Sequence, residues 1–182
     1  MSAMIGQPGP GFTLSAIASG REVGPDTCRG APCLLLFHNH HTLAAVSAVQ
    51  AAVRATHQVA DRPILASVLD LNSVPRVMRK LATSGMQNGY RQAAQQLPPG
   101  LLPVDYIIIL PDWDGSVTRA FQWQDVDKQP ALVLLDEAWI VRDRYQGDDP
   151  GAAAQRLLQE HGIAPGNLSG FPPADEANSQ RP

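Results

Sequence analysis

Cys33-Leu34-Leu35-Leu36-Phe37-His38-Asn39-His40-His41-Thr42-Leu43 is the stretch on which the architecture turns. Its first five residues are continuously apolar, as in a strand buried on both faces of a parallel or mixed sheet. From Leu43 onward, Val46, Val49 or Gln50, and Val53 recur at helical spacing, with alanines between them that permit close packing. A strand therefore runs almost directly into a helix, and three histidines occupy the junction.

The same alternation continues along the chain. Ile64 to Leu69 reads as a second strand, ended by the turn formers Asp70 and Asn72. Asn72 or Ser73 caps the next predicted helix, with Pro75 in its first turn and Val74, Val77, Met78 and Leu81 as its apolar stripe. Gly85 is expected to break that stripe. A further helical segment through Met86, Tyr90, Ala94 and Leu97 stops at Pro98-Pro99-Gly100. Tyr106 to Leu110 is the third predicted strand, and Asp114-Gly115 marks a turn. Ala131–Leu135 and Trp139–Tyr145 form a hairpin across Asp136-Glu137-Ala138. A last helix starts at Asp148 or Asp149, with Pro150 in its first turn, and ends at Gly162. The order predicts an α/β fold: a central mixed sheet flanked by helices, closed by a C-terminal β-hairpin and helix.

The 182 residues, 44% of them hydrophobic, suit one domain over residues 1–163. Residues 164–182 are Gly, Pro, Ser, Asn and acidic residues with little to bury, and are expected to be disordered. Fourteen basic against 17 acidic residues give a net charge of −3, so nothing favours nucleic acid or an anionic membrane. No secretory signal pattern opens the chain, and no run approaches the roughly 18 apolar residues of a membrane span. A cytoplasmic location is the expectation. Two cysteines exclude a disulfide-dense scaffold.

Several phrases, in order, carry a family resemblance. Ile5-Gly6-Gln7-Pro8-Gly9-Pro10-Gly11-Phe12-Thr13-Leu14 resembles a Gly-x-x-x-Pro-x-Phe-x-Leu opening. Gly20-Arg21-Glu22-Val23 is similar to the turn that follows it, and Gly30-Ala31-Pro32-Cys33 to the Gly-Lys-Pro-Val lead into the active-site strand. Gln129-Pro130-Ala131-Leu132-Val133 resembles a hairpin entered through a cis-proline. Together they look like the redoxin branch of the thioredoxin-like superfamily, with the alkyl hydroperoxide reductase and thiol-specific antioxidant (peroxiredoxin-like) proteins, over about Ile5 to Glu160. If the chain is an enzyme, the resemblance implies an oxidoreductase of that type.

Members of that family place a reactive cysteine where a helix begins, because the free N–H groups and helix dipole there stabilise a thiolate. Counted from Phe37, that position falls on Thr42, and its resolving partner falls on Ala45. Neither is a cysteine, so dithiol exchange has no sulfur at this site. Thr42 is then read as the helix N-cap. Cys33 serves as a small hydrophobe within its strand. Cys28 sits in a loop beside Arg29 and is the fallback catalytic thiol. The four residues between Cys28 and Cys33 are not the redox spacing, and a bridge is expected to require Cys33 to leave its strand.

His38, Asn39, His40, His41, Thr42, Ala45, Trp123 and Pro130 make up the former active-site face that the resemblance implies. On an extended segment His38 and His40 point to one side, which suits a shared zinc, copper or iron ion, with His41 joining if the chain turns. The bland alternative is polar loop histidines; imidazoles beside a helix start also suit an anion. The resemblance makes Pro130 cis and sets it opposite the histidines, with Trp123 either lining the same groove or packed as core. Three functions follow, in this order. The first is a binding or accessory protein that takes a protein, peptide or small ligand on that face. A metal-binding or metal-dependent redox protein through His38, His40 and His41 comes next. The third is an atypical thiol peroxidase or oxidoreductase using Cys28. Oligomeric state is left open.

Overall fold

A computed structural model describes residues 4–166. The tail expected to be disordered therefore lies, from residue 167, outside the described residues. A small antiparallel pair, β1 (Leu14–Ser15) and β2 (Glu22–Val23), precedes the main sheet. That sheet comprises β3 (Cys33–His38), β4 (Ile64–Asp70), β5 (Ile109–Asp112), β6 (Ala131–Leu135) and β7 (Val141–Gln146), in the spatial order β5-β4-β3-β6-β7. β3, β4 and β5 are parallel, β6 runs antiparallel to β3, and β7 runs antiparallel to β6. The mixed sheet is thus as expected.

Alternation along β3 divides the core in two, because successive side chains leave opposite faces of a strand. Cys33, Leu35 and Phe37 join Val68, Val133, Phe121 and Trp139 on one face. Leu34 and Leu36 meet Leu65, Leu132 and Leu134 on the other, where two helices cover them. These are α1 (Ala44–Arg54), through Ala45, Val49 and Val53, and α5 (Pro150–Glu160), through Ala153, Ala154, Leu157 and Leu158. The helices approach closely at Gly151, where an added Cβ would meet the Ala48 carbonyl oxygen at 3.3 Å. Asp149 caps α5 by accepting from the Ala152 N–H at 3.0 Å, with Pro150 in the first turn as expected.

Three elements depart from expectation. Tyr106 closes a short helix, α3 (Pro103–Tyr106), instead of opening a strand, and its hydroxyl donates to the Gln58 carbonyl at 2.9 Å. Sheet pairing proper begins at Ile109, opposite Ser67. Beyond Pro75, one 3-10 turn (Arg76–Met78) leads into a single helix, α2 (Arg79–Gln96), which passes through Gly85 without a break. Neither Asn72 nor Ser73 caps it. Only Met86 of α2 is buried, while Val77 and Leu81 of the predicted stripe are 88% and 64% exposed. In the hairpin, Trp139 lies in the turn at φ +65° and not in a strand. It is buried there, with its indole N–H donating to the Pro10 carbonyl.

Between β5 and β6 a short helix, α4 (Ser116–Ala120), hangs on one carboxylate. Asp112 is buried and accepts from the Thr118 N–H at 2.8 Å, the Thr118 hydroxyl at 2.9 Å and the Val117 N–H at 3.4 Å. These bonds satisfy backbone donors that a helix start otherwise leaves unpaired. None of the described helices is long and apolar enough to cross a membrane.

Candidate functional site

The carboxyl ends of parallel strands are where an open α/β sheet gathers its ligand-facing residues. Here β3 ends at His38, β4 at Asp70 and β5 at Asp112. The segment Asn39 to Leu43 turns the chain from β3 into α1. Asn39 shapes that turn: its Oδ1 accepts from the His41 N–H at 2.8 Å, and its own N–H donates to Thr42 Oγ1 at 3.1 Å.

Thr42 is not the helix cap. The N-cap is Leu43, without a side-chain hydrogen bond, and α1 starts at Ala44. The Thr42 hydroxyl instead donates to the Val126 carbonyl at 2.9 Å, tying the histidine turn to the segment before β6. Capping would require this oxygen to accept from an N–H of the first turn, and it accepts from the Asn39 N–H instead. Ala45, at the second thiol position of the resemblance, is buried against the helical core.

The three histidines separate. His38 is buried: its Nδ1 lies 3.1 Å from the Asn39 carbonyl and its Nε2 lies 2.5 Å from Ser67 Oγ. A carbonyl only accepts, so Nδ1 carries the proton and Nε2 accepts from the Ser67 hydroxyl. Burial pushes the His38 pKa down to about 4, partly opposed by the Asn39 bond. His40 and His41 are exposed, their rings 3.8 Å apart. The expected His38, His40 and His41 metal set is therefore not formed. Extended geometry stops at His38, and both its ring nitrogens are engaged. Among the described residues, no group of three or more His, Cys, Asp or Glu is placed to hold a metal ion.

Pro130 is not cis. The cis bond among the described residues is Arg62-Pro63. Pro130 enters β6 as extended chain, and its carbonyl takes the Gly147 N–H at 3.2 Å, continuing the β6–β7 ladder. Trp123 borders a cleft of about 360 Å³ together with Asn39, His40, His41, Asp70 and Arg119, and it also packs against Phe37 in the core. The Arg144 guanidinium lies 4.0 Å from the Trp123 ring centroid. A second cleft of about 390 Å³, bordered by Gln122, Gln124, Tyr145 and Gln146, shares Trp123.

Asp70, Asn72, Arg119, Asp125 and Asp127 also line the first cleft, and sequence reasoning missed them. One available signal was the position of Asp70 at a strand end. Gly115 shapes the rim at φ +68°, where a Cβ would meet Arg119 Nη1 at 2.9 Å and Asn72 Cβ at 3.0 Å.

Cys28 lies elsewhere. Cys33 and His38 open and close β3, so the cysteine end is about 17 Å from the cleft at roughly 3.3 Å per residue. Both cysteines are buried and not bonded to each other by a disulfide, within the apolar cluster that also holds Ala16 and Val23. A turn from Cys28 to Ala31, closed by Ala31 N–H donating to the Cys28 carbonyl at 3.3 Å with Gly30 at φ +87°, leads into β3.

No family model matches the chain, and no curated protein matches it. Solved structures do. DsbF from MTB is 19% identical at a TM-score of 0.52, covering 82% of this chain and 93% of its own. The reduced 2-Cys peroxiredoxin of Plasmodium vivax is 15% identical at 0.55, covering 88% and 99%. A thiol peroxidase from Chromobacterium violaceum is 14% identical at 0.55, covering 87% of each chain. The protein has a thioredoxin-like fold.

Proposed function

We propose that this redoxin-fold protein binds an extended polar peptide segment, from a protein partner, along the groove centred on Trp123, without dithiol chemistry at that face. The observation carrying this reading is that one aromatic side chain, flanked by Arg144, borders two adjoining clefts. Side by side they accommodate an elongated occupant better than a compact one. His40, His41 and Arg119 donate hydrogen bonds, while Asp70, Asp125 and Asp127 accept them, as a peptide's alternating donors and acceptors require. Thr42 and Ala45 stand where the resemblance to redoxins puts sulfur, so the interaction is non-covalent.

The test is an NMR titration of the full chain against a pool of polar peptides. Shifts confined to His40, Arg119, Trp123 and Gln146, lost in Trp123→Ala, support the reading. Shifts only at residues outside both clefts, or binding untouched by Trp123→Ala, would exclude it.

A further inference from the structure

The net charge of −3 conceals an uneven distribution. From Leu71 to Val104, a span that includes all of α2, the chain carries four basic residues, Arg76, Arg79, Lys80 and Arg91, and no acidic one. The rest of the chain sets ten basic residues against all 17 acidic ones, a net −7. Arg79 turns inward, its guanidinium 5.3 Å from the Trp113 ring centroid. Arg76, Lys80 and Arg91 are exposed, and among the described residues no carboxylate pairs with them. Val77, Met78 and Leu81 are exposed beside them where α2 begins. We infer that the outer face of α2, with the turn before it, docks on an anionic phospholipid surface.

Val77 and Leu81 stand four residues apart, one above the other, and Lys80 and Arg91 lie three helical turns apart on one flank of that pair. The aliphatic side chains enter the headgroup boundary while the flanking cations meet lipid phosphates, which is how an amphipathic helix lies in an interface. Farther along, the exposed Ser84, Asn88, Gln92 and Gln95 are polar and uncharged, so nothing on this face repels the surface. The cations extend over about 20 Å of helix, from Arg76 to Arg91, without a carboxylate between them. That spread fits an extended sheet of negative charge. A compact acidic protein would call for cations gathered around an aromatic anchor, and none of the large exposed apolar side chains is aromatic. The acidic remainder of the chain is repelled by the same surface, which leaves this face as the one that docks. Because Met86 is the only buried side chain of α2, lipid contact adds restraint where the fold supplies little.

The experiment is co-sedimentation of the full chain with vesicles, joined to amide exchange of the bound protein. The chain should bind vesicles of equimolar phosphatidylglycerol and phosphatidylcholine at low salt, ignore pure phosphatidylcholine, and be released by added salt. Arg76→Gln/Lys80→Gln should weaken partitioning on the order of twentyfold. Val77→Ser/Leu81→Ser should weaken it with every charge intact. Arg29→Gln/Lys128→Gln removes the same charge from exposed positions elsewhere and should bind as wild type does. Exchange in α2 should slow on the anionic vesicles. Equal binding to neutral and anionic vesicles, no binding to either, an equal loss in the Arg29 and Lys128 control, or protection confined to other elements would each overturn the assignment. Protection of α2 by polyglutamate without vesicle binding would also overturn it, making this a protein-docking face. The wild-type exchange map decides the matter even if a variant does not fold.

Discussion

His38 Nε2 accepts from Ser67 Oγ across the parallel pair of β3 and β4, inside the sheet and out of contact with water. This histidine is therefore held neutral, and the protein is expected to lose stability in mild acid. The unfolded chain takes up a proton near pH 6.5, whereas the folded protein does so only near 4. The unfolded state binds more protons between those values, so the contribution is complete above pH 6.5 and declines as pH falls toward 4. Its size is about 3 kcal/mol. Urea denaturation at pH 7 and pH 4.5 on wild type and His38→Gln measures it. The variant should show a clearly flatter pH dependence, and equal slopes would contradict the account.

Asp112→Ala should cost more than a typical surface change. It strands the Thr118 N–H and hydroxyl and the Val117 N–H in a buried setting. Unsatisfied buried donors cost about 1–3 kcal/mol each, with partial relief where water enters. Asp112→Asn, which keeps one acceptor oxygen, should fall between the two. Chemical denaturation midpoints order the three proteins.

Replacing Thr42 by Val keeps its shape but removes both bonds of the tether to Asn39 and Val126. A loss of about 1–2 kcal/mol is expected at typical net hydrogen-bond values. Faster amide exchange at Asn39 and His41 should accompany it, with the sheet amides of β6 unaffected.

Gly115→Ala forces a side chain into a left-handed turn and toward Arg119. Destabilisation of about 1 kcal/mol or more follows from the backbone alone. Because Arg119 must shift, peptide binding at the groove should weaken along with stability. A variant that lost stability yet bound unchanged would separate the rim from the binding face.

The sheet, both packed faces of β3 and the closing helix were legible in the sequence because continuous apolar runs and a capped amphipathic helix report burial directly. Thr42 misled because a hydroxyl ahead of a helix has the same appearance whether it caps or reaches across to Val126. Three histidines in four positions suggested joint ligation, but the chain stops alternating after His38, and only three-dimensional structure shows where a turn starts. Pro130 followed the resemblance, while the strand pairing of its neighbours is what sets its conformation here.

The long helix α2 bears on how the molecule moves through time. Eighteen residues are anchored to the core by one buried side chain, Met86, while α1 and α5 interlock over a whole face. Helices held this lightly open independently of global unfolding, and their free energy of opening lies well below that of the sheet. Amide exchange should register α2 as a separate, earlier event. The protein would then spend a measurable fraction of its life with its sheet intact and this one segment unwound, exposing to protease a stretch that the static fold shows as regular helix.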